Sequence, residues 1–167
     1  HIYKMDVSQM YNYHNIKNAD MTIAAIPVPI EEATEFGVIE IDKDYRMIGF
    51  EEKPKNPKSI PGRPDTALVS MGNYLFSTDI LVNAVTEDAR DESSVHDFGK
   101  NVIPALFPYK RVFVYDFLKN SIYMPTENDY EKPYWRDVGT IKAYFDSHMD
   151  LVSVSPAINL YNRNWPI

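Results

Sequence analysis

Val38-Ile39-Glu40-Ile41, Asp42-Lys43-Asp44 and Met47-Ile48-Gly49-Phe50-Glu51 follow one another in the chain. Two β-prone runs around a cluster of turn residues are the signal of a hairpin. The second arm leads through Glu52 and Lys53 into Pro54, Pro57, Pro61, Gly62 and Pro64. No regular element tolerates that density of prolines, so residues 54–64 are expected to be irregular. Outward from the hairpin, Met21 to Val28 is a short apolar run bounded by Pro27 and Pro29, and it reads as a buried strand. Leu68 to Phe76 and Arg111 to Phe117 read as further strands.

Helical signals separate these runs. Asp6-Val7-Ser8-Gln9 has the form of a capping box, and Val7, Met10, Tyr11 and His14 repeat at helical spacing, which predicts a helix over 7–17. Thr78 is placed to cap a helix carrying Ile80, Leu81, Ala84 and Val85, followed by a polar loop over 87–94. Phe98, Val102 and Ile103 suggest a short helix ended near Pro104, and 118–133 reads as a long polar loop. Thr140 is expected to cap a last helix whose Ile141, Tyr144, Phe145, His148, Leu151 and Val152 share one face. Strands alternating with helices, plus one hairpin, predict an α/β fold: a mixed, mostly parallel sheet flanked by helices. Ligands of open α/β sheets sit outside the carboxyl ends of the strands, so the loops after Phe50, after Leu68–Phe76 and after Trp135 are the places to look.

The 167 residues suit one domain with a real core. A net charge of −7 argues against a nucleic-acid partner, and no apolar run approaches the roughly 18 residues needed to span a bilayer. Without cysteine there is neither a disulfide framework nor a thiolate zinc site. The expectation is an acidic, cytoplasmic, globular protein. The six glycines are dispersed, so no glycine-rich phosphate loop is present, and the four histidines lack metal-ligand spacing. His14 and His148, on apolar helix faces, read as core histidines.

Two constellations carry possible chemistry. Glu51-Glu52-Lys53-Pro54 ends a strand: a lysine held there is a fixed point charge for a phosphate, and the carboxylates suit sugar hydroxyls. On spacing alone, a solvated charge run closing the hairpin is the simpler account. In Trp135-Arg136-Asp137-Val138-Gly139-Thr140, Asp137 either offers oxygen to Mg²⁺ beside substrate phosphates or pairs with Arg136, and spacing leaves the two even. His96-Asp97-Phe98-Gly99-Lys100 and Ser70-Met71-Gly72 are weaker signals.

Taken together these words resemble the glucose-1-phosphate adenylyltransferase (ADP-glucose pyrophosphorylase) family. The resemblance is carried by His1-Ile2-Tyr3-Lys4-Met5-Asp6, Ile26-Pro27-Val28-Pro29 with Phe36-Gly37-Val38, Glu52-Lys53-Pro54, Ser70-Met71-Gly72, His96 to Lys100, Tyr134 to Thr140, and Leu160 to Ile167. It implies a nucleotide-diphospho-sugar transferase fold, Rossmann-like and here partial, and transfer of AMP from ATP to glucose 1-phosphate, giving ADP-glucose and pyrophosphate for glycogen or starch-like synthesis. By the same resemblance Lys53 grips the sugar phosphate and Glu52 the sugar hydroxyls. Gly37 lets backbone approach the sugar, Ser70 and Asp97 add polar contacts, Trp135 walls the sugar, and Asp137 binds Mg²⁺.

The family has an Asp directly before the His-Ile-Tyr-Lys word as a second metal carboxylate, a glycine-rich nucleotide loop upstream, and a left-handed β-helix downstream. The resemblance therefore implies that residues 1–167 are the sugar-phosphate-binding half of a catalytic domain, inactive alone, from a homo-oligomeric, commonly tetrameric enzyme. The chain departs from the family pattern at Val95, where Ser is usual, at Asn73, where an apolar residue is usual, and at Asn162, where Asp is common. Transfer of another base or sugar, a non-catalytic regulatory subunit and a plain sugar-phosphate binding module are the competing readings.

Overall fold

The computed structural model describes residues 1–124 and 128–165. The Pro-Ile end of the last family word, Pro166 and Ile167, lies outside the described residues, as do residues 125–127 of the expected polar loop. The chain divides into two compact units: Met10–Asp116, and His1–Gln9 together with Phe117–Ile167.

The first unit is built on a five-stranded sheet. Its strands are β2 (Met21–Pro29), β3 (Gly37–Ile41), β4 (Met47–Glu52), β5 (Thr66–Phe76) and β6 (Val112–Asp116), in the order β4-β3-β5-β2-β6. The expected hairpin is β3–β4, with Gly37 opposite Glu52. The sheet is mixed, as expected, but not mostly parallel: only β2 and β6 run parallel, and the other neighbours are antiparallel. A tight turn joins the antiparallel pair β3–β4, whereas β5 returns after the proline-rich stretch to lie antiparallel between β3 and β2. Only β6, reached through two helices, runs parallel to its neighbour.

Strand alternation divides the apolar residues between two faces. Met21, Ile23, Ile39, Leu68, Val112 and Val114 share one core with Ala84 of α2 (Thr78–Arg90) and with Ile103 and Leu106 of α3 (Ile103–Leu106). Val38, Ala67 and Val69 point the other way, onto Val28 and Ala33. Helix α1 (Val7–Ile16) meets the sheet through His14, whose Nδ1 lies 2.8 Å from Thr22 Oγ1, so His14 is a satisfied core histidine. Pro27 and Pro29 lie inside β2 rather than bounding it. They are tolerated because the pairing with β6 covers only Met21–Ala25, leaving the prolines on a free edge.

Several boundaries shift. Ser77, not Thr78, precedes α2, and its hydroxyl donates to Ala19 O instead of capping the helix. Helix α2 continues to Arg90, through half of the expected loop. Pro104 starts α3 rather than ending a helix, because a proline in the first turn sacrifices no intrahelical hydrogen bond. Before it, Phe98–Val102 forms one wide π-helical turn.

In the second unit β1 (Ile2–Lys4) pairs antiparallel with β9 (Tyr134–Arg136). The expected polar loop holds a small hairpin, β7 (Ile122–Met124) with β8 (Asp129–Glu131). Asp6 accepts from Ser8 N and from Gln9 Nε2, while its own N–H donates to Asn120 Oδ1, so the capping box is only half formed. Thr140 does cap α4 (Ile141–Leu151), accepting from Ala143 N at 3.1 Å. Most of the expected apolar face of α4 is exposed, with Ile141 90% accessible and Tyr144, Phe145, His148 and Val152 also open, while Leu151 is half-buried. Its inward side consists of Ala143, Ser147 and Asp150, because small residues allow close approach and Asp150 finds polar partners there.

Candidate functional site

Two groups of site residues emerge, one in each unit. In the sheet unit, β4 delivers Glu52 at its end. Lys53 then turns into the left-handed region at φ 48, although the proline after it restricts its backbone, and Lys53 N donates to Phe36 O at 3.0 Å. Buried Pro54 anchors the turn, leaving the Lys53 side chain exposed. Strain held this way is characteristic of sites where a side chain must be aimed.

The Glu52 carboxylate occupies a slot between two glycines. A Cβ on Gly99 would lie 2.6 Å from Glu52 Oε2, and one on Gly37 would lie 2.9 Å from it and 2.5 Å from Phe50 Cζ. Space above Gly37 is thus filled by this chain's own Phe50 and Glu52. Asp97 caps the π-helical turn, accepting from Lys100 N at 2.9 Å. Burial, and secondarily the Asp97 charge, raise the Glu52 carboxyl above its ordinary value, while Lys53 and Lys100 oppose the shift. Two carboxylates and two ammonium groups therefore share one neighbourhood. Such a group can take hydroxyls on the carboxylates and an anion on the lysines.

Ser70 is buried on β5, with Oγ accepting from Gly72 N. It also bonds the Tyr74 side chain, whose ring stacks on Phe98 with centroids 5.8 Å apart. Burial raises the Tyr74 phenol above its ordinary value, and the Glu52 and Asp97 charges add to the rise. The structure thus brings Gly37, Glu52, Lys53, Ser70 and Asp97 into one unit and adds Tyr74, Gly99 and Lys100. Reasoning from sequence missed these three. The signal for two of them was present, since Gly99 and Lys100 follow Asp97 within one word. A cavity of about 330 Å³ bounded by Ala84, Asp88 and Leu106 touches this group only through Lys100.

The second unit holds Trp135 and Asp137. Pairing of β1 with β9 sets Tyr3 opposite Trp135 and Ile2 opposite Arg136. His1 stacks on Trp135, with ring centroids 5.4 Å apart and planes at 24°, and its Nδ1 is 3.6 Å from Asp137 Oδ1. A Cβ on Gly139 would lie 2.9 Å from Asp137 Oδ2, so the glycine leaves room for the carboxylate. The pairing of Asp137 with Arg136, which spacing allowed, is not formed. Arg136 bonds Asp150 instead, through Nη2 at 2.6 Å and Nε at 2.9 Å.

Asp137 keeps a side chain 35% accessible. A hard oxygen donor in such a setting suits Mg²⁺, which binds through one or two carboxylates plus substrate phosphates rather than an all-protein cage. Among the described residues no group of three or more His, Cys, Asp or Glu side chains could hold a metal, so a cation would depend on Asp137 and on oxygens brought by substrate. Among the same residues no helix is long and apolar enough to cross a membrane.

The family model for nucleotidyl transferases matches residues 1–154. Curated relatives are similar over the whole chain, two of them as follows. The glucose-1-phosphate adenylyltransferase of Anaeromyxobacter sp. (strain Fw109-5) is 58% identical over 168 residues, covering 100% of this chain and 40% of the relative. Glucose-1-phosphate adenylyltransferase 1 of Vibrio parahaemolyticus serotype O3:K6 (strain RIMD 2210633) is 56% identical over 167 residues with the same coverage. The chain therefore spans 40% of the length of these relatives, and the resemblance read from the separate words extends from end to end.

Proposed function

The chain belongs to the nucleotidyl transferase family, and from that premise we propose that the protein carrying it transfers AMP from ATP to glucose 1-phosphate. The products are ADP-glucose and pyrophosphate, in the service of glycogen or starch-like synthesis in the cytoplasm, by a homo-oligomeric enzyme. The observation that carries this reading is the mixed-charge group at the end of β4. Glu52 sits between Gly37 and Gly99, with Asp97, Lys53 and Lys100 around it. A sugar phosphate is the ligand class that combines the hydroxyls and the anion such a group selects.

In the reaction a phosphate oxygen of glucose 1-phosphate attacks the α-phosphorus of ATP. The new P–O bond forms as the bond to the β-phosphate breaks, and pyrophosphate departs with the electron pair. Catalysis of this kind consists of positioning and charge neutralisation. Lys53 binds the sugar phosphate, while Glu52, Asp97 and Ser70 orient the sugar by accepting and donating hydrogen bonds. Trp135 gives the sugar an apolar wall. Asp137 would hold Mg²⁺, which when bound neutralises phosphate charge.

Kinetics of the protein carrying this chain test the proposal. Pyrophosphate release should require glucose 1-phosphate and favour ATP over UTP and dTTP. Lys53→Ala should raise KM for glucose 1-phosphate by roughly 10- to 100-fold, the loss of one charge-assisted contact, and leave KM for ATP nearly unchanged. Asp137→Asn should lower kcat by about 100-fold or more without loss of folding. Equal shifts in both KM values would make Lys53 an ordinary hairpin charge, and preference for another nucleotide would replace ATP as the donor.

A further inference from the structure

Strand β9 presents its residues alternately to two sides. Tyr134 and Arg136 share one side, and both reach Asp150 on α4. Tyr134 Oη donates to Asp150 Oδ2 at 2.8 Å, and Arg136 Nε and Nη2 donate to the same oxygen at 2.9 and 2.6 Å. Trp135 belongs to the opposite alternation, where His1 stacks on it and approaches Asp137, the residue just past the strand.

Arg136 is adjacent in sequence to the carboxylate read above as the cation ligand. A guanidinium is charged at any accessible pH, and its planar fork matches a carboxylate. Left without a partner it would compete with a divalent cation for Asp137 and repel that cation. Asp150 removes both effects, because its carboxylate neutralises the guanidinium and holds it on the far side of β9. The donation from Tyr134 fixes Asp150 in turn. This accounts for an acidic residue on the inward side of α4, where the large residues Ile141, Tyr144 and Phe145 of the same helix remain outside.

Resting on the reading of Asp137 as a metal ligand, we propose that Asp150 is a positioning residue. It diverts Arg136 from Asp137 and so keeps the Asp137 carboxylate available to a divalent cation. The residue touches neither substrate nor cation and acts only through Arg136.

The test uses Mn²⁺ as the probe, with saturating ADP-glucose present to supply the diphosphate oxygens. The EPR signal of the free ion, read against an ADP-glucose blank, measures Mn²⁺ binding to the protein carrying this chain. The Mg²⁺ concentration giving half-maximal rate is the second readout. Asp150→Asn should weaken Mn²⁺ binding by roughly 10- to 100-fold, the range for loss of a group that orients a metal ligand. Combining it with Arg136→Met should restore most of that affinity, because the competing charge is gone. A brace that merely docked α4 would give no such rescue.

Parental affinity in Asp150→Asn, with weak binding in Asp137→Asn, overturns the proposal and leaves the reading of Asp137 standing. A double variant as weak as Asp150→Asn makes Asp150 a brace and also overturns it. Parental affinity in Asp137→Asn overturns the reading of Asp137, and the proposal with it. If Asp150→Asn fails to fold, the double variant decides. Near-parental affinity supports diversion, and affinity as low as that of Asp137→Asn overturns it.

Discussion

The two units are held together by different physics. The sheet unit buries apolar side chains on both faces of its sheet, with Met21, Ile23, Met47, Val69, Met71, Val112 and Val114 fully enclosed. The other unit encloses few apolar side chains among its described residues, chiefly Met5, Phe117, Ile122 and Ile158, and many polar ones. There Lys4 Nζ donates to Glu131 Oε1 at 2.9 Å and to Asn159 O at 2.8 Å, and Asn162 Nδ2 donates to the same Glu131 oxygen at 2.9 Å. Asp6 exchanges hydrogen bonds with Asn120, and Gln9 does the same with Ser121. Apolar burial is non-directional and tolerates small errors of geometry. A buried polar network is stable only when every member is satisfied. The sheet should therefore yield gradually to substitution, and the polar unit abruptly.

The sharpest way to break this contrast is at Glu131. Its side chain is only 7% accessible and that of Lys4 3%, so Glu131→Ala strands a buried ammonium. The expected loss is about 3–5 kcal/mol. Replacing the pair together by Lys4→Met with Glu131→Leu should restore only part of it, because Asn162 Nδ2 and Asn159 O lose the partners the pair gave them. Asn162→Asp should also destabilise, since a carboxylate cannot donate to Glu131 and places a second negative charge beside it. Chemical unfolding of the variants measures all three. A loss under 1 kcal/mol in Glu131→Ala would show that the polar unit does not depend on its ion pair.

A smaller effect separates two glycines within the sheet unit. Gly37→Ala collides with the Phe50 ring, and overpacking of this kind costs about 1–3 kcal/mol. Gly99→Ala meets the ends of two side chains, Glu52 Oε2 at 2.6 Å and Asp97 Oδ1 at 3.3 Å, and the flexible Glu52 side chain can swing aside. Stability should then change less than in Gly37→Ala, while KM for glucose 1-phosphate rises because Glu52 has left its slot. The same ranking in stability and in KM for both variants would remove the distinction between packing and site.

The smallest effect is one of pH. The Glu52 carboxyl is raised by burial, so the folded state holds its proton more tightly, and this group favours folding more as pH falls from neutrality. The Asp150 carboxyl is lowered, first by the Tyr134 hydrogen bond and then by Arg136. Its contribution is complete above the ordinary aspartate range and is lost as pH falls through its folded value. Carboxyl NMR titration should place the Glu52 midpoint above, and the Asp150 midpoint below, those of ordinary Glu and Asp. Coincidence of either with the ordinary value would cancel that part of the contrast.

The β3–β4 hairpin, β2, β5 and β6 were legible because hydrophobic runs and turn residues act locally. Core histidine His14 was legible from helical spacing, but His148 was not. On α4 the apolar stripe lies outside, and Ala143, Ser147 and Asp150 decide the packing. The β7–β8 hairpin escaped notice because its strands are short and polar, and their pairing carries no periodic signal.

In the candidate site, Glu52, Lys53, Asp97 and Asp137 are pointed to by the family words that contain them, which are local in the sequence. Which charge each one meets could not be read there. Spacing offered Arg136 to Asp137, yet the guanidinium bonds Asp150, fourteen residues away. Sequence by itself determined the strand and helix repertoire, the family likeness and the residue types available for chemistry, since these rest on local pattern. Tertiary structure alone decided that Glu52 sits between Gly37 and Gly99, that Lys4 is buried on Glu131, and that Arg136 turns from Asp137. Contacts between distant residues depend on the packed geometry of several elements at once, and no local pattern encodes that geometry.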